Sequence, residues 1–304
     1  MSIRPCTHTF LLLSWLHPAP TPSHTRALTC TLPMRRLLLL LTPAARPMLS
    51  HAIEVPSHKV SRIAWRWWVT LLGAALLCLA TPTHADARNA AERYTRVPAG
   101  ADGIGKRYKG RDIAGVMGWQ GAAWLEREER AREERTDLLM SALQLKPGMV
   151  VADIGAGTGY LARRMAPAVV PGGKVLAVDV QPEMVAMLQA SVRQTGLTQI
   201  QPLLGAEDDV MLSAASVDLA IMVDVYHELA FPHEVLASII RALKPGGQLV
   251  FVEYRAKDPK VPIKALHKMS EAQIKREAAA LDLVWDRTVG TLPWQHMVVF
   301  RKRH

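Results

Sequence analysis

The chain has 304 residues, 49% hydrophobic and 21% charged, which is enough apolar material for a full core in one or two domains. Its net charge of +10 suggests nucleic acid, yet residues 1–87 hold eight Lys/Arg against two acids, leaving 29 basic against 25 acidic residues in 88–304. That nearly balanced body has no basic stripe interleaved with aromatics, so nucleic acid is not an expected partner. With Cys6, Cys30 and Cys78 all in the leader, the body also has no disulfide, thiolate metal site or cysteine nucleophile.

Residues 1–61 are rich in Pro, His, Thr and Leu and show no sustained period. They read as a disordered leader or as a mis-called start, with Met34 and Met48 as internal starts. Residues 62–87 join a basic RIAWR, the apolar stretch WWVTLLGAALLCLA and small residues at Ala85 and Ala87. That three-part layout predicts a secretory signal or an uncleaved membrane anchor. The protein is then periplasmic or membrane-associated through 62–87, with a cytoplasmic location as the alternative. Residues 88–112 are polar and Gly-containing and read as a linker. From Ile113 apolar residues recur at helical spacing, and 126–135 (EREERAREER) places opposite charges on what reads as a solvated helix face. This helical cap continues to Leu143 and stops at Lys146-Pro147-Gly148.

Beyond Gly148 short apolar strands alternate with amphipathic helices, the pattern of a parallel sheet covered on both faces. Strands are predicted at 150–154, 174–178, 200–204, 219–223 and 248–254, with helices at 160–168, 182–195 and 232–243. A helix at 270–280 and strands at 283–289 and 296–301 complete the body, 113–304.

Asp153-Ile154-Gly155-Ala156-Gly157-Thr158-Gly159 follows a strand and opens a helix. Glycines let such a turn approach a ligand closely, at the strand end where open sheets bind nucleotides. The G-x-G-x-G spacing departs from the nicotinamide fingerprint, and no P-loop Lys-Ser/Thr follows. Asp179 ends an apolar strand 20 residues beyond Gly159, where a carboxylate can accept ribose hydroxyls; capping the next helix is the plainer role. Glu207 and Asp208 follow the third strand, where an acid could hold an adenine amino group. Asp224, Tyr226, His227 and Glu228 follow the fourth. His227, with Tyr226 beside it, is the candidate base, because histidine titrates near neutrality. The spacing H-E-L-A-F-P-H does not match the H-E-x-x-H zinc helix, so no metal is expected. Lys264, His267 and Lys268 could receive an anion, but read first as a solvated turn.

DIGAGTGY, VLAVD, VDLAIMVD and LKPGGQLVFVE, in this order over about 135–304, resemble the successive motifs of class I S-adenosylmethionine-dependent methyltransferases of the small-molecule, type 11-like branch. The resemblance implies a Rossmann-like, doubly wound α/β fold with a seven-stranded sheet, mostly parallel with an antiparallel last strand. It implies S-adenosyl-L-methionine as cofactor. Asp153 and Gly155, Ala156, Gly157, Thr158 and Gly159 would hold its methionine part, and Asp179 the ribose, with Val180 also in the site. Glu207 or Asp208 would take the adenine and Asp224 the neighbourhood of the methyl group. The chain departs from the frequent Gly-Asp-Ala-Glu after the third strand, reading Gly205-Ala206-Glu207-Asp208. Arsenic and cytosine-C5 methylation rely on cysteines that the body lacks. The expected function is methyl transfer to a small-molecule or lipid-like acceptor. The alternatives are a nicotinamide-dependent oxidoreductase and a non-catalytic adenosylmethionine-binding protein.

Overall fold

The computed structural model describes residues 93–303, so the readings for 1–61 and for the signal-like segment 62–87 lie outside the described residues. Among the described residues no helix is long and apolar enough to cross a membrane.

Seven segments form one sheet: β4 (Val150–Ile154), β5 (Lys174–Asp179), β6 (Ile200–Leu204), β7 (Val217–Val223), β8 (Leu243–Tyr254), β9 (Leu283–Val289) and β10 (Gln295–Lys302). Their order is β6-β5-β4-β7-β8-β10-β9. Pairing is parallel from β6 to β8, and β10 runs antiparallel between β8 and β9. This is the expected doubly wound α/β sheet with an antiparallel last strand.

Alternate residues of each strand feed opposite faces, which is why the strands read as unbroken apolar runs. Val151, Val175, Leu219 and Val250 pack under α3 (Thr136–Leu143), α4 (Ala162–Val169) and α5 (Pro182–Thr195). Ala152, Leu176, Ala220 and Phe251 pack under α6 (Pro232–Ala242) and α7 (Glu271–Ala278). The chain turns outward in opposite directions after β4 and β7, so a crevice opens at their carboxyl ends. The stop at 243–247 lies within β8. Leu243 pairs with Val217 and Gln248 with Leu219, and the residues between bulge so that Lys244 reaches Asp218 at 2.8 Å.

Two expectations are corrected. Residues 93–112 are not a linker: β1 (Tyr94–Arg96), β2 (Gly103–Tyr108) and β3 (Arg111–Ala114) form an antiparallel meander. Its polar composition disguised it, because the polar residues dock instead of facing water. Lys106 donates to the Ala230 carbonyl, Arg93 pairs with Glu234, and Arg111 pairs through two bonds with Glu277. Nor is 113–143 one helix. Ile113 lies within β3, and α1 (Ala122–Leu125) and α2 (Arg130–Glu134) are short, with Arg135 left-handed (φ 50°) before α3.

Candidate functional site

The turn after β4 hangs on its neighbour strand, because the Gly155 and Ala156 N–H groups both donate to the Val178 carbonyl, at 2.8 and 3.0 Å. Gly155 (φ 70°) and Gly157 (φ 55°) are left-handed, and a Cβ would come within 2.6 Å of Val225 and 2.5 Å of Leu125, respectively. The left-handed backbone favours glycine at both positions, and at Gly155 a side chain would also run into Val225. Asp179 completes the turn: one carboxylate oxygen accepts the Gly157 N–H and the other the Gln181 N–H, each at 2.9 Å. Each oxygen keeps a further lone pair for a ligand hydroxyl. Burial raises the Asp179 carboxyl above its usual range despite these backbone donors.

The expected residues divide. Asp153, Gly155, Ala156, Gly157, Asp179, Val180, Glu207, Asp224 and His227 all line one cavity of about 900 Å³. Thr158, Gly159 and Asp208 do not line it. The Thr158 hydroxyl turns away to the Glu126 carboxylate, which also grips Arg163. Asp208, one residue beyond the cavity wall at Glu207, is exposed.

At the floor lies an acidic corner that the charge run helps to build. Arg130 and Glu134 of α2 are buried, Arg130 bonds Glu134 at 2.9 Å, and Arg127 bonds Glu134 at 2.9 Å. All three line the cavity with Asp153, Asp224 and Tyr254, so this part of the run is not a solvated face. Burial, with the nearby Asp179 charge, pushes Asp153 up to about 7 against the pull of Arg130. Burial, then Glu134 and Glu253, raises Asp224 well above the carboxylate range. Asp224 sits at φ 54° and accepts a bond from Gln295 at 2.6 Å. Asp153 Oδ2 and Asp224 Oδ1 are buried without a hydrogen-bond partner among the described residues. Two unpaired carboxylate oxygens in one cavity fit a ligand that brings cationic N–H groups and positive charge, as the ammonium and sulfonium of adenosylmethionine would.

The 3-10 turn Tyr226–Glu228 supplies a further part of the lining. That turn sends its first two side chains different ways. Tyr226 goes into the core, edge-on to Phe251 with ring centroids 4.9 Å apart, and does not line the cavity. Burial also pushes its hydroxyl well above the usual range, so Tyr226 is removed from the candidate bases. His227 lines the cavity, with Nδ1 on the fully buried Glu253 at 2.6 Å and Nε2 facing His267 Nδ1 at 3.2 Å. Burial pulls its pKa down, but Glu253 outweighs that and the net shift is upward. Glu228 accepts the Met117 N–H at 3.1 Å, and burial pushes its carboxyl up to about 7. Arg111, on β3, donates to the His227 carbonyl and so ties the meander to this turn.

Sequence reading therefore missed Glu253, Arg130 and Glu134, gave Glu228 no role, and took His267 and Lys264 first for a surface turn although both line the cavity. One signal was present: Glu253 stands alone in the apolar strand LVFVEY, where an ionised group needs a partner. The histidine that meets His227 is His267, 40 residues on, and not His233 in the local motif.

The fold and its glycine turn are similar to those of class I methyltransferase domains. Residues 151–247 match the family model described as methyltransferase domain, whose members use S-adenosyl-L-methionine as methyl donor. The chain is 30% identical over 119 residues to the ubiquinone/menaquinone biosynthesis C-methyltransferase of Bordetella parapertussis, covering 39% of this chain and 46% of that protein. It is 35% identical over 116 residues to an uncharacterized 37.1 kDa protein of transposon TN4556 from Streptomyces fradiae, covering 38% and 33%. The chain thus spans less than half the length of these relatives. A SAM-dependent methyltransferase from Aquifex aeolicus shares the fold, with a TM-score of 0.58 at 24% identity over 61% of this chain and 99% of that one.

Proposed function

We propose that this protein transfers the methyl group of S-adenosyl-L-methionine to a small, electron-rich acceptor. The observation that carries the reading is the single cavity, with two differently built ends. One end offers the backbone turn, Asp179 and the unpaired oxygens of Asp153 and Asp224 to a charged nucleoside. The other offers His227, Glu228 and His267 to a second molecule. Supporting it are the match of 151–247 to methyltransferase domains and the similarity to a quinone-biosynthesis C-methyltransferase.

In this reading Asp153 and Asp224 meet the positive charges of the donor, Asp179 accepts the ribose hydroxyls, and Glu207 stands at the adenine. Methyl transfer is an in-line displacement on the sulfonium, so aligning donor and acceptor supplies much of the acceleration. His227, oriented by Glu253, is where the acceptor would dock. Backbone N–H groups of Met117 and Trp119 are held by Glu228 and Gln181, which fixes Met117 at the cavity wall.

Calorimetry tests the donor end: adenosylmethionine and adenosylhomocysteine bind with one site per chain, and Asp179→Ala weakens both at least tenfold. Tight NADH binding without adenosylmethionine binding would return the protein to the oxidoreductases. Binding without turnover across a broad panel of phenols, quinols and lipid-like acceptors would favour a non-catalytic role. Location remains part of the proposal, export or anchoring through 62–87, and a fusion of 48–100 to a reporter active only outside the cytosol decides it.

A further inference from the structure

We infer that His227, His267 and Glu228 form a binding site for one divalent first-row metal ion, of the zinc or ferrous type, at the acceptor end of the cavity. One ligand atom from each residue lies within 4.8 Å of the others, and all three residues line the same cavity. The two facing nitrogens, His227 Nε2 and His267 Nδ1, are 3.2 Å apart. With metal–nitrogen bonds of about 2.0–2.1 Å, that separation corresponds to a ligand–metal–ligand angle of about 100°, between octahedral and tetrahedral. The ring planes are inclined by 78°.

The surroundings favour the same assignment. With its proton on Nδ1, His227 donates a hydrogen bond to Glu253 at 2.6 Å, and this tautomer leaves the Nε2 lone pair directed at His267. A carboxylate behind a histidine in this way fixes the tautomer and raises the basicity of the metal-facing nitrogen. Glu228 uses Oε2 to accept the Met117 N–H, so its position is fixed while its other oxygen is available. Two imidazoles and one carboxylate suit zinc, iron, cobalt or nickel, whereas magnesium and calcium prefer oxygen alone. Three protein ligands also leave coordination positions open.

What those open positions take rests on the methyltransferase reading above. They accept a hydroxyl or enol oxygen of the acceptor. The bound hydroxyl gives its proton to solvent, because the cation lowers its pKa. An electron pair of the resulting oxyanion, on oxygen or on the conjugated ring carbon, forms the bond to the methyl carbon. The carbon–sulfur bond breaks with its pair left on sulfur, and the sulfonium becomes a neutral thioether. In a carbon methylation the ring carbon then loses its proton to solvent. His227 is accordingly a ligand and not the base, and phenols or enols are the acceptor class.

The test uses the full chain, stripped with chelator and titrated with Co²⁺, with Zn²⁺ as competitor. Cysteines and histidines of the leader also take cobalt, so the readout is the difference spectrum between the parent and His267→Ala or Glu228→Gln. We expect one equivalent of cobalt with visible bands of low-symmetry coordination, displaced by zinc, and at least a tenfold loss of affinity in each variant. Melting curves confirm that the variants fold, and both residues lie on the cavity wall and outside the apolar core. Cobalt binding equal in parent and variants overturns the site. Site-specific cobalt binding with no adenosylmethionine binding by calorimetry leaves the metal site standing and removes the methyl-transfer reading instead.

Discussion

At the donor end of the cavity, Gly155 and Ala156 hang on β5 through main-chain bonds, and the Asp179 carboxylate at the end of that strand holds the Gly157 N–H. At the acceptor end, His227, Glu253 and His267 come from a 3-10 turn, β8 and a second 3-10 turn, and Arg111 adds a strand more than 100 residues earlier. The glycine turn of the first end is local and made of backbone, so it tolerates change around it but not within it. The second is assembled from charged side chains of distant elements, so it depends on how the meander docks. Mutations should separate the two ends cleanly.

The largest effect is expected at the Arg111–Glu277 pair, which is nearly inaccessible to solvent and bonded at 2.8 and 3.0 Å. Glu277→Gln leaves the guanidinium buried without its counter-charge, which costs about 3–5 kcal/mol and lowers Tm on the order of 10 °C in a body of this size. Because Arg111 also holds the His227 carbonyl, acceptor-dependent turnover should fall further than stability alone explains. Adenosylmethionine affinity, measured well below Tm, should stay within about twofold of the parent. Equal loss at both ends would show that the comparison is wrong.

Next in size is the pH response of the ligand-free protein. Asp153 titrates at about 7 when folded against a usual carboxylate value of 3.8. Between those values the folded chain holds the extra proton, so stability falls as pH rises from about 4 to about 7, by at most about 4 kcal/mol. Asp224 and Asp179, also raised, act in the same direction, and Arg130 opposes it. In Asp153→Asn the decline between pH 5 and 8 should flatten, and the variant should melt above the parent at pH 8. The same substitution should weaken adenosylmethionine, since it removes charge from the donor end. A variant that keeps the parent's pH profile would mean the acidic corner is already neutralised by Arg130.

Third, Gly157→Val tests the backbone turn itself. The Cβ meets Leu125, and the residue is left-handed, a conformation that valine rarely adopts. Adenosylmethionine affinity should drop on the order of 100-fold, about 3 kcal/mol, while cobalt binding at His227 and His267 is retained.

The same contrast explains what could be read in the sequence. The donor end was legible because its parts are consecutive: a strand, three glycines at fixed spacing and an acid at the next strand end. Thr158 and Gly159 were included with the DIGAGTGY motif, yet after Gly157 the turn leaves the cavity and carries both away from it. The sheet was legible for a similar reason, since alternating apolar strands and helices report a parallel core. The acceptor end was not, because nothing in His227 and His267 taken separately says that 40 residues of chain return to bring them within 3.2 Å. The meander hid behind its own polarity: Lys106, Arg111 and Arg93 read as solvated until their buried acids and carbonyls are seen.

The smallest effect should come from the rim. Lys264 and Asp102, both lining the cavity, pair at 2.5 Å and join the β1–β2 connection to the segment that carries His267, but the lysine is 68% exposed. Exposed pairs of this kind contribute about 0–1 kcal/mol, because water screens the charges and ordering two long side chains costs entropy. Lys264→Ala should therefore move Tm by no more than about 2–3 °C and leave both adenosylmethionine and cobalt binding unchanged. If the pair serves the acceptor end, its contribution should be visible in KM for the acceptor and in the salt dependence of KM, because a rim charge acts on encounter before it acts on chemistry. A change in donor affinity instead would carry the rim into the backbone-built half, where no bond from Lys264 reaches.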